Sequence, residues 1–236
     1  MKIEKIFSNL EEWHKLPKYQ LERRLDIFFT IYLKELIEVF YKEILGKDIE
    51  LYDIIIPEFP LKKDGENSST NVDYIMFCKN GSKSIFIELK TDIDSVDDEQ
   101  IDYLIKTKEN SWQTAFNNVK EIKRHLKKTS QTKSLQKYEA LFKYINNKEI
   151  DILLENEMKI DIVYIHPIAT KIIRNKEILF NSINFDFITN NILSKESDIV
   201  SKSFFKILGE IYKDSLEKNK RKRLENQYQT IYNISA

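Results

Sequence analysis

Between Gln20 and Leu45 apolar positions recur at three- and four-residue steps. Leu21, Leu25, Phe28, Phe29, Tyr32, Leu36 and Phe40 fall on one stripe, which predicts an amphipathic helix ended by Gly46. The period then changes. IELYDIIIP (49–57) is rich in β-branched residues and stops at Pro57, predicting a first strand, while PEFPLKKDGENSST (57–70) has the composition of a loop. NVDYIMFCK (71–79) and SKSIFIELK (82–90) predict two strands on either side of Asn80-Gly81. Ser95 opens a helix as N-cap, with Asp98 at the capping-box position. Helical periodicity continues, with a break near Asn110, to about Lys128, and a further helix covers Leu135 to Asn146. KIDIVYIHP (159–167) predicts a strand, ILFNSINFDFI (178–188) a weaker one, and the helical pattern returns from Lys195 to Tyr228.

The order α-β-β-β-α-(α)-β, then a weak strand and helix, predicts an α/β fold with a mixed central sheet flanked by helices. We expect an α/β domain over residues 1–194 and a helical extension over 195–236 packed on it. A chain of 236 residues with 42% hydrophobic and 32% charged positions has the balance of a soluble globular protein. No apolar run is long enough to span a bilayer, and MKIEKIFSNLEEW does not read as a signal peptide, so a cytoplasmic location and no membrane partner are expected. The one cysteine, Cys78, forms no internal disulfide framework, and His14, His125 and His166 have no zinc spacing. No glycine-rich phosphate loop is present, which argues against a nucleotide-driven motor. The formal net charge is zero, but unevenly spread: DIDSVDDE (92–99) is acidic, while Lys120–Lys148 and KNKRKR (218–223) are mostly basic. A local basic stripe can grip phosphates on a neutral protein.

Asn-Gly between two apolar runs predicts a hairpin with a two-residue type I′ loop, both of whose residues need positive φ. That register sets Phe77 opposite Ser84, Ile75 opposite Phe86, Asp73 opposite Glu88 and Asn71 opposite Lys90, all on one face. The other face carries Met76 with Ile85, Tyr74 with Ile87 and Val72 with Leu89. Such a hairpin is expected inside the sheet, covered on both sides. Two carboxylates then lie opposite each other, with Cβ atoms about 4.5–5.5 Å apart, where like charges repel. A half-buried pair needs a proton, a cationic side chain or a metal ion. Lys90 supplies one cation against two acids. Mg²⁺ or Mn²⁺, bound by one or two carboxylates with water and phosphate oxygens, suits the pair. A plain solvated ion cluster is the competing interpretation.

With these residues in hand, the segment Gln20–Pro167 resembles the PD-(D/E)XK nuclease superfamily, whose restriction-endonuclease-like core has the order αβββαβ. An acid on the second core strand and (D/E)-x-K on the third look like Asp73 and Glu88-Leu89-Lys90. ELKTD, followed by Ser95, Gln100 and Tyr103, looks like a bacterial and phage branch of that group. The resemblance implies that Asp73 and Glu88 hold metal, that the Leu89 carbonyl completes the shell, and that Lys90 positions or activates water. It further implies a glutamine after the third strand, either Gln100 or Gln113, and in some members a glutamate on the first helix. Glu22 is the candidate for that glutamate, with Asp26 one turn on. Val72 stands where many members have proline.

Lys120, Lys123, Arg124 and Lys127 share one helix stripe and are candidates for phosphate-backbone contact, or else form a solvated face opposite Val119, Ile122 and Leu126. The run 218–223 either complements the last helix dipole or meets nucleic acid, a protein partner or a second copy of the chain. His166 reads as structural, and Glu58 as a neighbour of the hairpin. The function expected is divalent-metal-dependent hydrolysis of nucleic-acid phosphodiesters, DNA ahead of RNA. The alternative is a non-catalytic nucleic-acid- or protein-binding module on the same fold.

Overall fold

A computed structural model describes residues 2–13, 20–62, 69–148, 157–192 and 198–234. His14 and the boundary expected between 194 and 195 lie outside the described residues. Helix α1 covers Lys2–Trp13 and α2 covers Glu22–Leu45. Gly46 follows α2 with φ 63°, a left-handed conformation that glycine adopts without a Cβ clash. Three strands follow, β1 (Ile56–Lys62), β2 (Ser69–Phe77) and β3 (Lys83–Leu89), then helices α3 (Asp98–Lys108), α4 (Trp112–Lys128) and α5 (Thr132–Asn147). The chain continues through β4 (Lys159–His166), β5 (Lys171–Arg174), β6 (Glu177–Asn184), α6 (Phe185–Asn191) and α7 (Ile199–Ile234).

The strands form one six-stranded sheet in the order β1-β2-β3-β4-β6-β5, flanked by helices. It is mixed. β1/β2, β2/β3 and β5/β6 are antiparallel. β3 and β4 run the same way: Lys159 N–H donates to the Ser82 carbonyl at 3.4 Å near their starts, and Lys90 N–H to the Ile165 carbonyl at 2.8 Å near their ends. The expected αβββαβ order and the C-terminal helix are therefore present. No helix among the described residues is long and apolar enough to cross a membrane.

The chain forms two compact units. The first comprises Phe40–Glu88 and Val96–Val163. Its core is built around the fully buried indole of Trp112, whose ring lies 5.0 Å from Phe77, 5.1 Å from Phe59 and 5.5 Å from Phe116. At the turn end of the hairpin, Asp161 accepts from the Tyr41 hydroxyl at 2.6 Å and lies 3.3 Å from Lys83 Nζ. Burial, then the Asp161 charge, push the Tyr41 phenol far above its ordinary range. The second unit comprises Met1–Val39, Leu89–Ser95 and Tyr164–Ala236. Phe204 is its hub, with ring centroids 5.1 Å from Phe29, 5.4 Å from Phe205 and 5.7 Å from Tyr32.

Several expectations need correction. The first strand occupies 56–62, inside the stretch read as a loop, and 49–55 contributes only the isolated bridge Leu51↔Cys78. Pro57 and Pro60 are tolerated because β1 is an edge strand, where a missing N–H need not break a ladder. The N-cap of α3 is Asp97, whose carboxylate accepts from Glu99 N–H, while Ser95 Oγ donates to the Asp92 carbonyl. Helix α1 and strand β5 were not expected at all.

The hairpin register is the expected one, Tyr74↔Ile87, Ile75↔Phe86, Met76↔Ile85 and Phe77↔Ser84, but the loop is different. Gly81 has φ 66° and Asn80 is not among the positive-φ residues. Gly81 N–H donates to the Cys78 carbonyl and Cys78 N–H to the Lys83 carbonyl, both at 3.0 Å. The loop is thus four residues built on a type I turn, with glycine in the left-handed position. The two-residue turn with both φ positive occurs instead at Asn175-Lys176 (51° and 69°), between β5 and β6. Gly81→Ala is expected to lower stability by about 1–2 kcal/mol, because only position 81 demands left-handed backbone. Asn80→Ala should cost less, and urea denaturation of both variants checks the order.

Candidate functional site

Alternation along β2 and β3 sorts their side chains. Phe77 and Phe86 face Trp112, so Asp73, four residues before Phe77, and Glu88, two after Phe86, project from that same face. The ladder ends at Tyr74↔Ile87, and one further step in the same register would bring Asp73 beside Glu88. Glu88 is 2% exposed and Asp73 is half-buried. Strands β1 and β4 flank the pair, and the neighbouring hairpin positions Val72, Tyr74, Ile75, Ile85, Phe86 and Ile87 are all buried. The hairpin therefore lies inside the sheet, as its two apolar faces predict.

A buried carboxylate keeps its charge only with donors or cations around it. Gln100, in the first turn of α3, donates from Nε2 to Glu88 Oε1 at 2.6 Å. Gln113 does something else: its Oε1 accepts from Met158 N–H at 3.1 Å and helps join α4 to β4. Of the two glutamines that the sequence left open, Gln100 is the one at the acidic pair.

Glu58 comes closer than the sequence indicated. The β1/β2 ladder passes from Pro57↔Tyr74 to Phe59↔Val72, leaving Glu58 at the position opposite Asp73, with φ 50°. Three acids thus occupy successive strands. The Glu58 carboxylate is engaged by Asn71, whose Nδ2 donates to Oε2 at 3.0 Å. Among the described residues, no group of three or more His, Cys, Asp or Glu side chains is disposed to hold a metal ion. Asp73 and Glu88 remain two adjacent oxygen-donor side chains, one of them buried. That donor set fits Mg²⁺, which completes its shell with water and substrate oxygens.

Lys90 and Leu89 follow Glu88 in the chain and belong to the second unit, where both are buried, at 7% and 1% exposure. Glu22 opens α2 in the same unit and is half-buried; Asp26 accepts from Ile27 N–H. The basic stripe lies on α4 as expected, opposite buried Val119, Ile122 and Leu126. Two of its cations rest on rings: Lys120 Nζ is 4.5 Å from the Phe116 centroid and Lys123 Nζ 4.6 Å from Phe142. Arg124 and Lys127 are exposed.

The acidic stretch and the basic run prove to be partners. Lys218 lies 2.8 Å from Asp92 and 3.0 Å from Asp94, and Lys222 bonds Asp94. The Lys222 hydrogen bond holds the Asp94 carboxyl below the usual carboxylate range, and the bond to Asp92 raises Lys218. Asp97, Asp98 and Glu99 serve the start of α3, as acids at a helix N-terminus do.

Comparison of the chain with protein-family models, curated proteins and solved structures found no match.

His166 is structural. Its Nδ1 accepts from Ile168 and Ala169 N–H at 3.2 and 2.9 Å. Burial is the largest influence and, with the Lys90 charge, lowers its pKa to about 4, against a bond to the Ile93 backbone and the Asp92 charge, which raise it. The folded value lies below the unfolded one, so neutral His166 contributes its full stability above about pH 6.5 and loses it as pH falls towards 4. The loss is at most about 3 kcal/mol. Denaturant midpoints of wild type and His166→Asn from pH 7 to 4 should converge as pH falls; parallel curves would assign the acid sensitivity elsewhere.

Proposed function

We propose that this protein is a divalent-metal-dependent nuclease that hydrolyses phosphodiester bonds, acting on DNA ahead of RNA, and that it is a PD-(D/E)XK-type enzyme. The observation that carries the proposal is the hairpin register, whose continuation by one step beyond Tyr74↔Ile87 would bring half-buried Asp73 beside buried Glu88, together with the Gln100 bond to Glu88. Two adjacent carboxylates, one buried and held by an amide, are a donor set that suits a hard divalent cation.

On this reading Asp73 and Glu88 hold Mg²⁺ or Mn²⁺, with the Leu89 carbonyl as a further oxygen. Such an ion, when held there, would supply a lowered pKa for water and charge stabilisation at the phosphate. Gln100 fixes the Glu88 carboxylate in one orientation, so that its lone pairs stay aimed. Lys90 is a buried ammonium two residues after Glu88. In this proposal its role is that of a cation that holds water and meets developing negative charge. The α4 stripe, chiefly exposed Arg124 and Lys127, supplies sequence-independent contact to the phosphate backbone.

Purified protein incubated with circular, linear and single-stranded DNA should cut at least one of them with Mn²⁺ and none in EDTA. Asp73→Asn should abolish cutting. Lys90→Ala should lose about 10²–10³-fold in single-turnover rate with oligonucleotide binding largely kept. Lys90→Arg should restore little, since a planar fork does not reproduce a compact ammonium. Cutting by Asp73→Asn at the wild-type rate would remove this site from the reaction.

A further inference from the structure

We infer that a pocket beside the acidic pair receives the base of an unpaired nucleotide one or two steps from the phosphate to be cut, and that it favours bases carrying an exocyclic amino group. This rests on the nuclease reading for its orientation, but its own test is a binding test.

The pocket holds about 460 Å³ and lies between the β1/β2 edge and α5. That volume is within the range of roughly 300–1,000 Å³ typical of small-ligand sites. It admits one base and excludes a duplex. Its floor continues the row that carries Asp73. Ser69 and Asn71 line it and sit four and two residues before Asp73 on the same strand, and therefore on the same face. Asn71 is about 7 Å from Asp73 along the strand. With ~3.4 Å per stacked nucleotide, that is one to two nucleotide steps.

The chemistry of the lining selects the occupant. Tyr138, in α5, is half-buried, and its hydroxyl is 3.1 Å from Ser69 Oγ, which holds the ring in place. A fixed aromatic ring at a pocket wall is a stacking platform for a base. Glu58 forms another part of the wall, on strand β1 with a left-handed backbone of φ 50°. Asn71 Nδ2 bonds one Glu58 oxygen at 3.0 Å. The second Glu58 oxygen and the Asn71 carbonyl then provide two acceptors. A carboxylate in the pocket repels phosphate, so the occupant is not the backbone. Two acceptors match the amino group of cytosine or adenine, the pairing by which Glu reads cytosine, and thymine offers no amino group. Exposed Lys137 at the mouth can meet the nucleotide's own phosphate. Accepting from both amino hydrogens, one of which a duplex uses for pairing, requires the base to be out of a duplex.

The test is fluorescence anisotropy with labelled ten-nucleotide dC and dT strands and a duplex of equal length, in EDTA, so that binding and not cleavage is read. Wild type should bind dC more tightly than dT, and either more tightly than the duplex. Tyr138→Ala should weaken dC binding about tenfold or more, while Tyr138→Phe, which keeps the ring, should bind nearly as wild type. Glu58→Gln should erase the preference for dC over dT. Thermal melts of each variant confirm folding, and the Phe and Gln variants keep the test open if Tyr138→Ala is unstable. Equal dC affinity in wild type and Tyr138→Ala, or no binding of either strand, overturns the pocket. Mn²⁺-dependent cutting, assayed alongside, separates the two readings. Cutting that is indifferent to Tyr138 sinks the pocket alone, and Tyr138-dependent binding without cutting sinks the active site alone.

Discussion

The pairing of β2 with β3 in one register is the constraint on which the acidic pair, its orienting amide and the neighbouring pocket all rest. In a strand the side-chain period is two, so a slip of one residue would send every core side chain to the opposite face. Here the slip is blocked twice. Phe77 and Phe86 must reach Trp112, while the alternate positions, Tyr74, Met76, Ile85 and Ile87, are themselves buried. A slip would bury Asp73 and Glu88 on the wrong side of the sheet. The left-handed Gly81 and the Cys78–Lys83 bond then close the hairpin at a fixed length.

That register brings two carboxylates of like charge towards each other. Alanine or threonine at either acidic position would leave the ladder intact and abolish the repulsion. Instead Glu88 is buried, its orientation is fixed by Gln100, and Glu58 extends the row of acids to the edge strand. Two other acidic groups are paired directly. Asp92 and Asp94 meet Lys218 and Lys222, and Asp161 meets Tyr41 and Lys83. The row of acids on successive strands is the feature on which the proposed chemistry is placed.

The sequence carried the hairpin because two apolar runs around Asn-Gly leave few alternatives, and the periodicity of α2, α4 and α7 was equally plain. Turn chemistry was less readable. Asn80-Gly81 has the residues of a type I′ turn, but Lys79 N–H is drawn to the Glu50 carbonyl at 2.8 Å, and a longer loop results. Asn175-Lys176 adopts the tighter turn without a glycine to announce it. Pro57 and Pro60 disguised β1, since proline marks a strand end unless the strand lies at a sheet edge. Gln100 and Gln113 are equivalent by composition, and only the position of α3 over β3 separates them. The pairing of 92–94 with 218–222 spans most of the chain, and no local rule reaches that far. Glu58 was visible as a neighbour of the hairpin, but its place opposite Asp73 depends on the β1/β2 register, which the sequence does not give because β1 itself was read as loop.

The central claim is that Asp73 and Glu88 are held together for a divalent cation. Thermal melts of wild type and Asp73→Asn, with Mn²⁺ or EDTA and in the presence of a short DNA strand, test it most directly. At a hundredfold excess over its dissociation constant, a ligand specific for the folded state adds about 2.7 kcal/mol, equivalent to roughly 5–10 °C for a chain of this size. Wild type should gain that rise with Mn²⁺, and Asp73→Asn should not. In EDTA the variant should melt at the same temperature as wild type or higher, because one of two repelling charges is gone. An equal response to Mn²⁺ in both proteins, or a variant that is markedly less stable in EDTA, would contradict the claim and make the pair a structural feature of the hairpin.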